Sequence, residues 1–356
     1  MDIKIIKIAG QFVTDGKIES AVSYGGGHIN DTFRVTASSG SNYILQKINK
    51  NVFKTPLNVV NNIEKLLQHF NHIGKNALQT FPAFDGKKYY LDEQGDYWRL
   101  YNFVSDAKSY EVIENETQAF EAGKAFGSFL HDTLALNPSE FKETIPNFHH
   151  LGKRYEKFRS VIEQNPAKRL DSVKTEVDIA LAHFHIAESV EKSIASGELP
   201  VRVTHNDTKL NNALFDINTG KGICVIDLDT VMPGLLMYDY GDMVRTFTSP
   251  LAEDDTHFEK VKMRIEIFKQ LTHGYMSELS NAIKKAEIEN LVLGAKYMTL
   301  IMAVRFLTDY IEGDVYYKIK HPNHNIDRAR NQFALLKSIE NHEDELQKFI
   351  YDNYLK

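Results

Sequence analysis

Cysteine is almost missing from this chain: among 356 residues there is one, Cys224. No internal disulfide can form, and the apolar run around it makes a buried thiol the simpler reading. A basic excess is missing too. The net charge is -6 and the pI about 6.2, which leaves no surplus cation to displace counterions from a nucleic acid or to hold an anionic membrane. No apolar run is long and unbroken enough for a membrane span. The most apolar stretch, Leu291 to Ile311, is interrupted by Lys296, Arg305 and Asp309 and reads as a core helix. Met1 to Lys7 has no apolar region of the secretory kind, so a cytoplasmic location is expected. Repeats and low-complexity tracts are absent. So is a Gly-x-x-x-x-Gly-Lys-Ser/Thr run, which leaves a P-loop fold unsupported. The close histidines, His149-His150, His183 with His185 and His321 with His324, lack cysteine or acid partners at ligand spacing and read as solvated or core residues.

What is present is a pair of linked segments. With 42% hydrophobic and 25% charged residues, the chain can bury two cores, and polar chemistry is concentrated between Val203 and Asp229. Apolar residues run up to Thr204, and the loop His205-Asn-Asp-Thr-Lys-Leu-Asn-Asn212 follows. Twenty residues after Asp207 comes Asp227, at the end of Gly222-Ile-Cys-Val-Ile-Asp, with a turn signal at Asn218-Thr-Gly220 between. The two stretches read as a hairpin that brings Asp207, Asn212 and Asp227 together. Phosphoryl transfer to an alcohol needs a carboxylate for the hydroxyl proton and oxygen ligands for Mg²⁺. Asp207 fits the first role, and Asn212 and Asp227 fit the second. Lys209 can set its ammonium against the transferring phosphoryl group, and Asp229 is a candidate for a second ion. The alternative is a hairpin whose Asp and Asn residues merely cap turns. Three acids and an amide in register with apolar strands fit that less well. His205, at a strand end, reads as a structural hydrogen-bonder. In Asp239-Tyr-Gly-Asp242 the carboxylates are expected to brace the loop through backbone N–H groups.

A nucleotide also needs a backbone cover over its phosphates. Ser23-Tyr-Gly-Gly-Gly-His-Ile-Asn-Asp31 is the Gly-rich stretch placed for it, between a strand over 19–24 and a strand over 32–36 whose Phe33 and Val35 share a face. Gly25, Gly26, Gly27 and Asn30 are the candidate residues, with Asn30 where a third glycine would stand and able to adopt a left-handed backbone. In the next strand, Tyr43-Ile-Leu-Gln-Lys47, either Gln46 or Lys47 faces the phosphates, depending on register. A helix after Thr55-Pro56 presents Glu64, either as an ion-pair partner for that strand or as an ordinary solvated charge. Trp98 to Val104 reads as a last strand, and Tyr101, Asn102 and Val104 at its end form a hinge for adenine.

Beyond the hinge the pattern is mostly helical: a helix through Ala119 to Leu130, an amphipathic run from Asp171 to Ser196, and three stretches after Asp255. The expected architecture is α+β and bilobal, a β-rich lobe over 1–104 and a larger, mainly helical lobe over 105–356, with ATP in the cleft between them.

The His205 to Asn212 loop with Ile226-Asp227 resembles the aminoglycoside phosphotransferase and choline kinase superfamily of protein-kinase-like folds. A closer resemblance covers nearly the whole chain. Tyr24-Gly-Gly-Gly-His-Ile-Asn30, Tyr43-Ile-Leu-Gln46, Arg202 to Asn212, Ile226-Asp-Leu-Asp-Thr230 with Met232-Pro-Gly234, and Arg305-Phe-Leu-Thr-Asp-Tyr-Ile-Glu-Gly-Asp314 are similar to the bacterial N-acetylhexosamine 1-kinases. That resemblance implies transfer from ATP, with Mg²⁺, to the anomeric hydroxyl of N-acetylglucosamine or N-acetylgalactosamine, a small-molecule partner in amino-sugar metabolism. It also implies that His28, Arg305 and Tyr316, with Asp207, contact the sugar. Gln46 stands where the family often has a basic residue, which puts the lysine-glutamate pair in doubt. Two other readings remain: a kinase of another small alcohol, such as an amino alcohol, homoserine or an aminoglycoside, and a nucleotide-binding pseudokinase.

Overall fold

A computed structural model describes residues 3–25, 29–75, 77–279 and 281–356 of the protein. After a short helix α1 (Ile3–Ala9) the chain forms an antiparallel sheet from β1 (Ile18–Ser23), β2 (Asp31–Ala37), β3 (Asn42–Lys47), β4 (Thr80–Phe81), β5 (Tyr90–Leu91) and β6 (Tyr97–Asn102), with helix α2 (Pro56–His72) between β3 and β4. The strand order is β1-β2-β3-β6-β4, with β5 also pairing β6. Alternation sorts the faces. Val35, Tyr43, Leu45, Trp98 and Leu100 share a core with Ile5 and Ile8 of α1. Ile44 and Tyr101 face the other way, toward α2. Pro56 opens α2, where its missing N–H is not needed. The apolar side of that helix, Val59, Val60, Ile63, Leu66 and Leu67, is buried in one core with Phe126, Leu130 and Val203 from the later chain.

The remainder is mainly helical. It runs through β7 (Ala107–Lys108), α3 (Glu116–Thr133), α4 (Leu151–Gln164), α5 (Lys174–Ala182), α6 (Phe184–Ala195), the strands β8 (Arg202–Thr204), β9 (Ala213–Asp216), β10 (Gly222–Val225) and β11 (Met232–Gly234), then α7 (Leu236–Thr248), α8 (Ile265–Leu279), α9 (Lys285–Glu289), α10 (Leu291–Glu312), α11 (His324–Asn341) and α12 (Glu343–Tyr354). This is the α+β arrangement expected. The run over 171–196 differs in detail: it breaks into α5 and α6 at His183, whose ring Nδ1 bonds the Ile179 carbonyl at 2.7 Å. That carbonyl would otherwise receive the helical N–H of residue 183, which turns to Ala180 instead. Five helices rather than three follow Asp255, because Asn290 and His342 bend the chain between helices whose apolar periods continue. Helix α10 is long and apolar enough to cross a membrane, and 78% of its apolar window is buried inside the protein.

One close crossing fixes α7 against α10. Helix α7 meets α10 glycine to glycine, and a Cβ on Gly241 would overlap the carbonyl oxygen of Gly294. Only glycine permits that approach. Since α7 carries Asp239 and α10 carries Arg305, the crossing locks the two in a common frame.

Candidate active site

Two strand pairings, not one hairpin, assemble the central residues. β9 pairs with β10 across the expected turn, whereas β8 pairs with β11, Thr204 lying opposite Met232. The strand ending at Thr204 therefore finds its partner after Asp227 rather than before it. The loop leaving β8 is held by its own side chains. Asn206 adopts a left-handed backbone, φ 63°, and its Nδ2 donates to the carbonyls of Thr204, Thr230 and Met232 at 3.1, 3.0 and 3.2 Å. Asp239, buried in the first turn of α7, accepts the backbone N–H groups of His205 at 2.9 Å and Asn206 at 2.7 Å. Burial still pushes its carboxyl up to about 7, despite those two bonds. Asp239 thus braces the loop as expected. Asp242 does not: it pairs with Arg245 at 2.8 Å, which also reaches Glu253.

His205 is fully buried between Phe126 and Phe129. Its Nε2 donates to the Ile226 carbonyl at 2.9 Å and its Nδ1 accepts the Asp207 N–H at 3.2 Å. Burial keeps its pKa below the ordinary histidine value. Both nitrogens are committed, so the ring ties the two segments together and has no free site for a substrate proton.

Asp207, Asn212 and Asp227 meet at this junction. The Asn212 amide donates to the Asp207 carbonyl at 2.8 Å and to its Oδ2 at 3.1 Å, and the Ile226 N–H bonds the Asn212 carbonyl at 2.8 Å. Lys209 Nζ lies 3.0 Å from Asp207 Oδ1. Burial alone would raise the Asp207 carboxyl, but Lys209, His205 and Arg245 outweigh it and hold it below the usual range, while Asp207 pushes the Lys209 ammonium up. Asp227 sits at φ 61°. Burial first, then the charges of Asp229 and Asp207, drives its carboxyl up to about 7. Asp229 is buried, Asp207 half-buried and Asp227 exposed, and this group of acids beside an amide whose Oδ1 is its one remaining side-chain acceptor suits a divalent cation that keeps part of its shell for water and phosphate. Among the described residues no cluster of three His, Cys, Asp or Glu could hold a metal by itself. The arrangement offers an ionised carboxylate next to an ammonium, with two oxygen donors alongside.

Other candidates fall elsewhere. Asp229 ion-pairs with the buried Arg99, and its Oδ2 accepts Asn30 Nδ2 at 2.7 Å, so its carboxylate is engaged by a guanidinium instead of standing free for a second ion. Register settles the strand question. Gln46 lies directly across from Arg99 and its Oε1 accepts from Arg99 Nη2 at 2.8 Å. Lys47 points to the opposite face, paired with Asp31 at 2.7 Å and lying over Trp98, and its assignment to the phosphates is corrected accordingly. Glu64 accepts from Gln68 one turn on and enters no ion pair among the described residues. Gly25 supplies the left-handed backbone of the Gly-rich turn, φ 77°; Asn30 is used through its side chain. Gly26, Gly27 and His28 lie outside the described residues. At the end of β6, Tyr101 is buried, the Asn102 side chain bonds Gln79 N and Ala77 O, and Val104 is half-buried in the segment that follows. Arg99 was invisible in an apolar strand read as a hinge; the signal available was a cation on the same face as Gln46.

Arg305 faces a solvent-open cavity of about 50 Å³, lined also by Arg154, Lys157, Glu312, Tyr316 and Tyr317. Its guanidinium lies over the rings of Phe148, Tyr317 and Tyr316 at 5.3, 5.5 and 5.8 Å. Asp309, one turn further along α10, accepts the N–H groups of Tyr316 and Tyr317 at 2.8 and 3.0 Å and so fixes the loop that presents them. Arg154 Nη2 bonds the Phe148 carbonyl, but its Nε and the Tyr317 hydroxyl are buried without partners. Burial and the neighbouring Arg305 pull the Arg154 pKa down to about 10. Phe148 stacks on His149, whose Nε2 donates to the Asn206 carbonyl at 2.8 Å. A chain of contacts thus runs from Arg305 through Phe148 and His149 to the residue before Asp207.

Residues 20–258 match the family model described as the phosphotransferase enzyme family. Solved structures of like fold include an aminoglycoside phosphotransferase from Alicyclobacillus acidocaldarius, 12% identical over 97% of this chain and 96% of that one, TM-score 0.64. A microcompartment-associated aminopropanol kinase is 16% identical over 97% and 99%, TM-score 0.64. An amicoumacin kinase in complex with AMP-PNP, Ca²⁺ and its antibiotic is 13% identical over 94% and 93%, TM-score 0.63. At such identities the structures establish the protein-kinase-like fold alone. The family match spans most of the chain, and this protein belongs to the phosphotransferase enzyme family, whose aminoglycoside- and choline-kinase members share its fold.

Proposed function

We propose that the protein is an ATP- and Mg²⁺-dependent kinase that phosphorylates the anomeric hydroxyl of an N-acetylhexosamine, giving the sugar 1-phosphate and ADP. The observation that carries the choice of acceptor is the charge of the cavity in front of Arg305, which is joined to the 205–212 loop through Phe148 and His149. Arg305, Arg154 and Lys157 line it, Glu312 is spent on Lys157 and Asp309 on backbone N–H groups. An amino alcohol or an aminoglycoside would bring an ammonium against two arginines, a like-charge contact costly in a low-dielectric site. A neutral sugar brings hydroxyl and carbonyl oxygens that the unpartnered Arg154 Nε and Tyr317 hydroxyl can meet, and the Tyr316 ring supplies an apolar rim. Loss of an oxygen from the acceptor would leave buried donors unpaired, which is the strongest form of discrimination available to a site.

In this reading the segment 1–104 covers the nucleotide and 105–356 supplies the chemistry. Asp207 takes the hydroxyl proton as the sugar oxygen attacks, and its depressed pKa keeps it ionised for that task. Lys209, held 3.0 Å from Asp207, sets positive charge beside the phosphoryl group in flight. Asn212 and Asp227 would hold Mg²⁺, which would supply charge neutralisation at the phosphate oxygens. Arg305 and Tyr316 orient the sugar. Transfer is direct and in line, without a covalent enzyme intermediate.

ADP release screened over N-acetylglucosamine, N-acetylgalactosamine, glucose, aminopropanol, ethanolamine and choline tests the acceptor, with NMR of the product locating the phosphate. Response to the N-acetylhexosamines with phosphate on the anomeric carbon is expected. A 6-phosphate, or response to the amino alcohols alone, refutes the assignment. Asp207→Asn is expected to keep nucleotide binding and lose nearly all turnover, which also separates a kinase from a pseudokinase.

A further inference from the structure

A polar row crosses the inner face of the sheet and ends on the far side of the cleft. Thr32, Gln46 and Arg99 are direct cross-strand neighbours on β2, β3 and β6. Gln46 Nε2 donates to Thr32 Oγ1 at 3.1 Å, which turns its Oε1 toward Arg99, where it accepts Nε at 3.2 Å and Nη2 at 2.8 Å. The guanidinium, 2% exposed, then pairs with Asp229. The other oxygen of Asp229 holds Asn30 Nδ2 at 2.7 Å, at the exit of the Gly-rich turn. Asn30 is fixed in turn: its Oδ1 accepts the Asn49 N–H at 3.0 Å, and Asn49 Nδ2 donates to the Ile29 carbonyl at 2.9 Å.

We propose that Arg99, Asp229 and Asn30 form a clasp across the cleft that does the work a strand lysine and a helix glutamate would do, making Arg99 a positioning residue for the nucleotide with its Mg²⁺. Three features argue for it. The position of the strand lysine is filled by Gln46, used through its carbonyl as an acceptor, and a lysine there would set a second cation against Arg99. Glu64, the helix acid, has no ion pair among the described residues, whereas Asp229 has one. Finally, Asp229 lies two residues beyond Asp227, in the short turn over 228–230, so anchoring Asp229 fixes the segment that carries Asp227 and ties it to the turn covering the phosphates. The job needs a planar fork with several donors, which lysine lacks. Burial keeps the pair unscreened, and each charge alone is costly there.

The inference stands whichever alcohol is the acceptor, because AMP-PNP binding in the presence of Mg²⁺ reads it without one. In the full chain, calorimetry on R99K and D229N is expected to show at least tenfold weaker nucleotide binding and a raised Mg²⁺ half-saturation, with acceptor KM changed less than twofold where turnover is measured. The R99M/D229N double variant, which removes both charges, is expected to bind no worse than the weaker single variant. Q46K leaves both partners in place and is expected to weaken nucleotide binding by pushing Arg99 off Asp229. Unchanged nucleotide binding in R99K and D229N overturns the proposal. So do multiplicative losses in the double variant, or acceptor KM rising in step with nucleotide affinity. Should the single variants fail to fold, Q46K decides: native affinity in Q46K overturns the clasp.

Discussion

Replacing Asp239 by asparagine removes one acceptor from beneath the catalytic loop while keeping the side chain's shape. Two backbone N–H groups, of His205 at 2.9 Å and Asn206 at 2.7 Å, point at the two carboxylate oxygens. Asparagine offers one oxygen and turns an NH₂ toward the second N–H, leaving two donors face to face in a buried site. Bonds to a charged acceptor contribute roughly 1.5 to 3 kcal/mol each, and an unsatisfied buried donor costs roughly 1 to 3 kcal/mol. Against that stands a relief. The carboxyl of Asp239 is already pushed up to about 7 by burial, and the neutral amide escapes that desolvation. With about 4 kcal/mol of relief at pH 8, about three pH units at about 1.4 kcal/mol each, against about 2.5 to 6 kcal/mol lost, the balance is a loss of at most about 2 kcal/mol in stability, read from urea unfolding midpoints. Turnover should fall further than stability does, by at least ~30-fold, because Asp207, the general base proposed above, directly follows Asn206 and a misplaced base loses rate steeply. Native turnover in a variant with the expected stability loss would refute the bracing role, and would assign the loop geometry to the Asn206 side chain and to Thr208, whose hydroxyl bonds the Asp239 carbonyl.

His149 is buried and its pKa is pulled down to about 4, chiefly by burial. Its unfolded value is about 6.5, so the unfolded chain binds the proton first as pH falls. The stability it contributes is whole above pH 6.5 and is lost toward pH 4, about 3 kcal/mol at about 1.4 kcal/mol per pH unit. His149→Gln should flatten that stretch of the stability profile in chemical denaturation; an unaltered slope would contradict it. Gly241→Ala should cost about 1 to 3 kcal/mol by overpacking α7 against α10, and a thermal midpoint equal to native would show that the crossing yields. Lys47→Ala should leave nucleotide affinity within about twofold, since its half-exposed pair with Asp31 is worth little; a tenfold loss would mean Lys47 reaches the phosphates.

The parts that sequence reasoning found are those written in short range. The loop from His205 to Asn212 announces itself because a strand must end where polar residues begin, and α2 and α10 because their apolar periods are long. Asp239 could be placed because carboxylates near a loop have few structural uses. The failures share a different cause. The pairing of β8 with β11 joins residues 28 apart through a connection that already contains a good hairpin, so the nearer partner looked correct. Lys47 and Gln46 differ by one step of a period of two, and only the core beneath Leu45 chooses the face. Arg99 and Asp229 are 130 positions apart, and each alone resembles something ordinary, an arginine in an apolar strand before a hinge and an acid near a metal site. Their meaning is relational: a buried guanidinium requires a carboxylate, and Asp229 supplies it. Charge balance in the cleft therefore gives Asp229 a partner, Arg99, that motif spacing could not show.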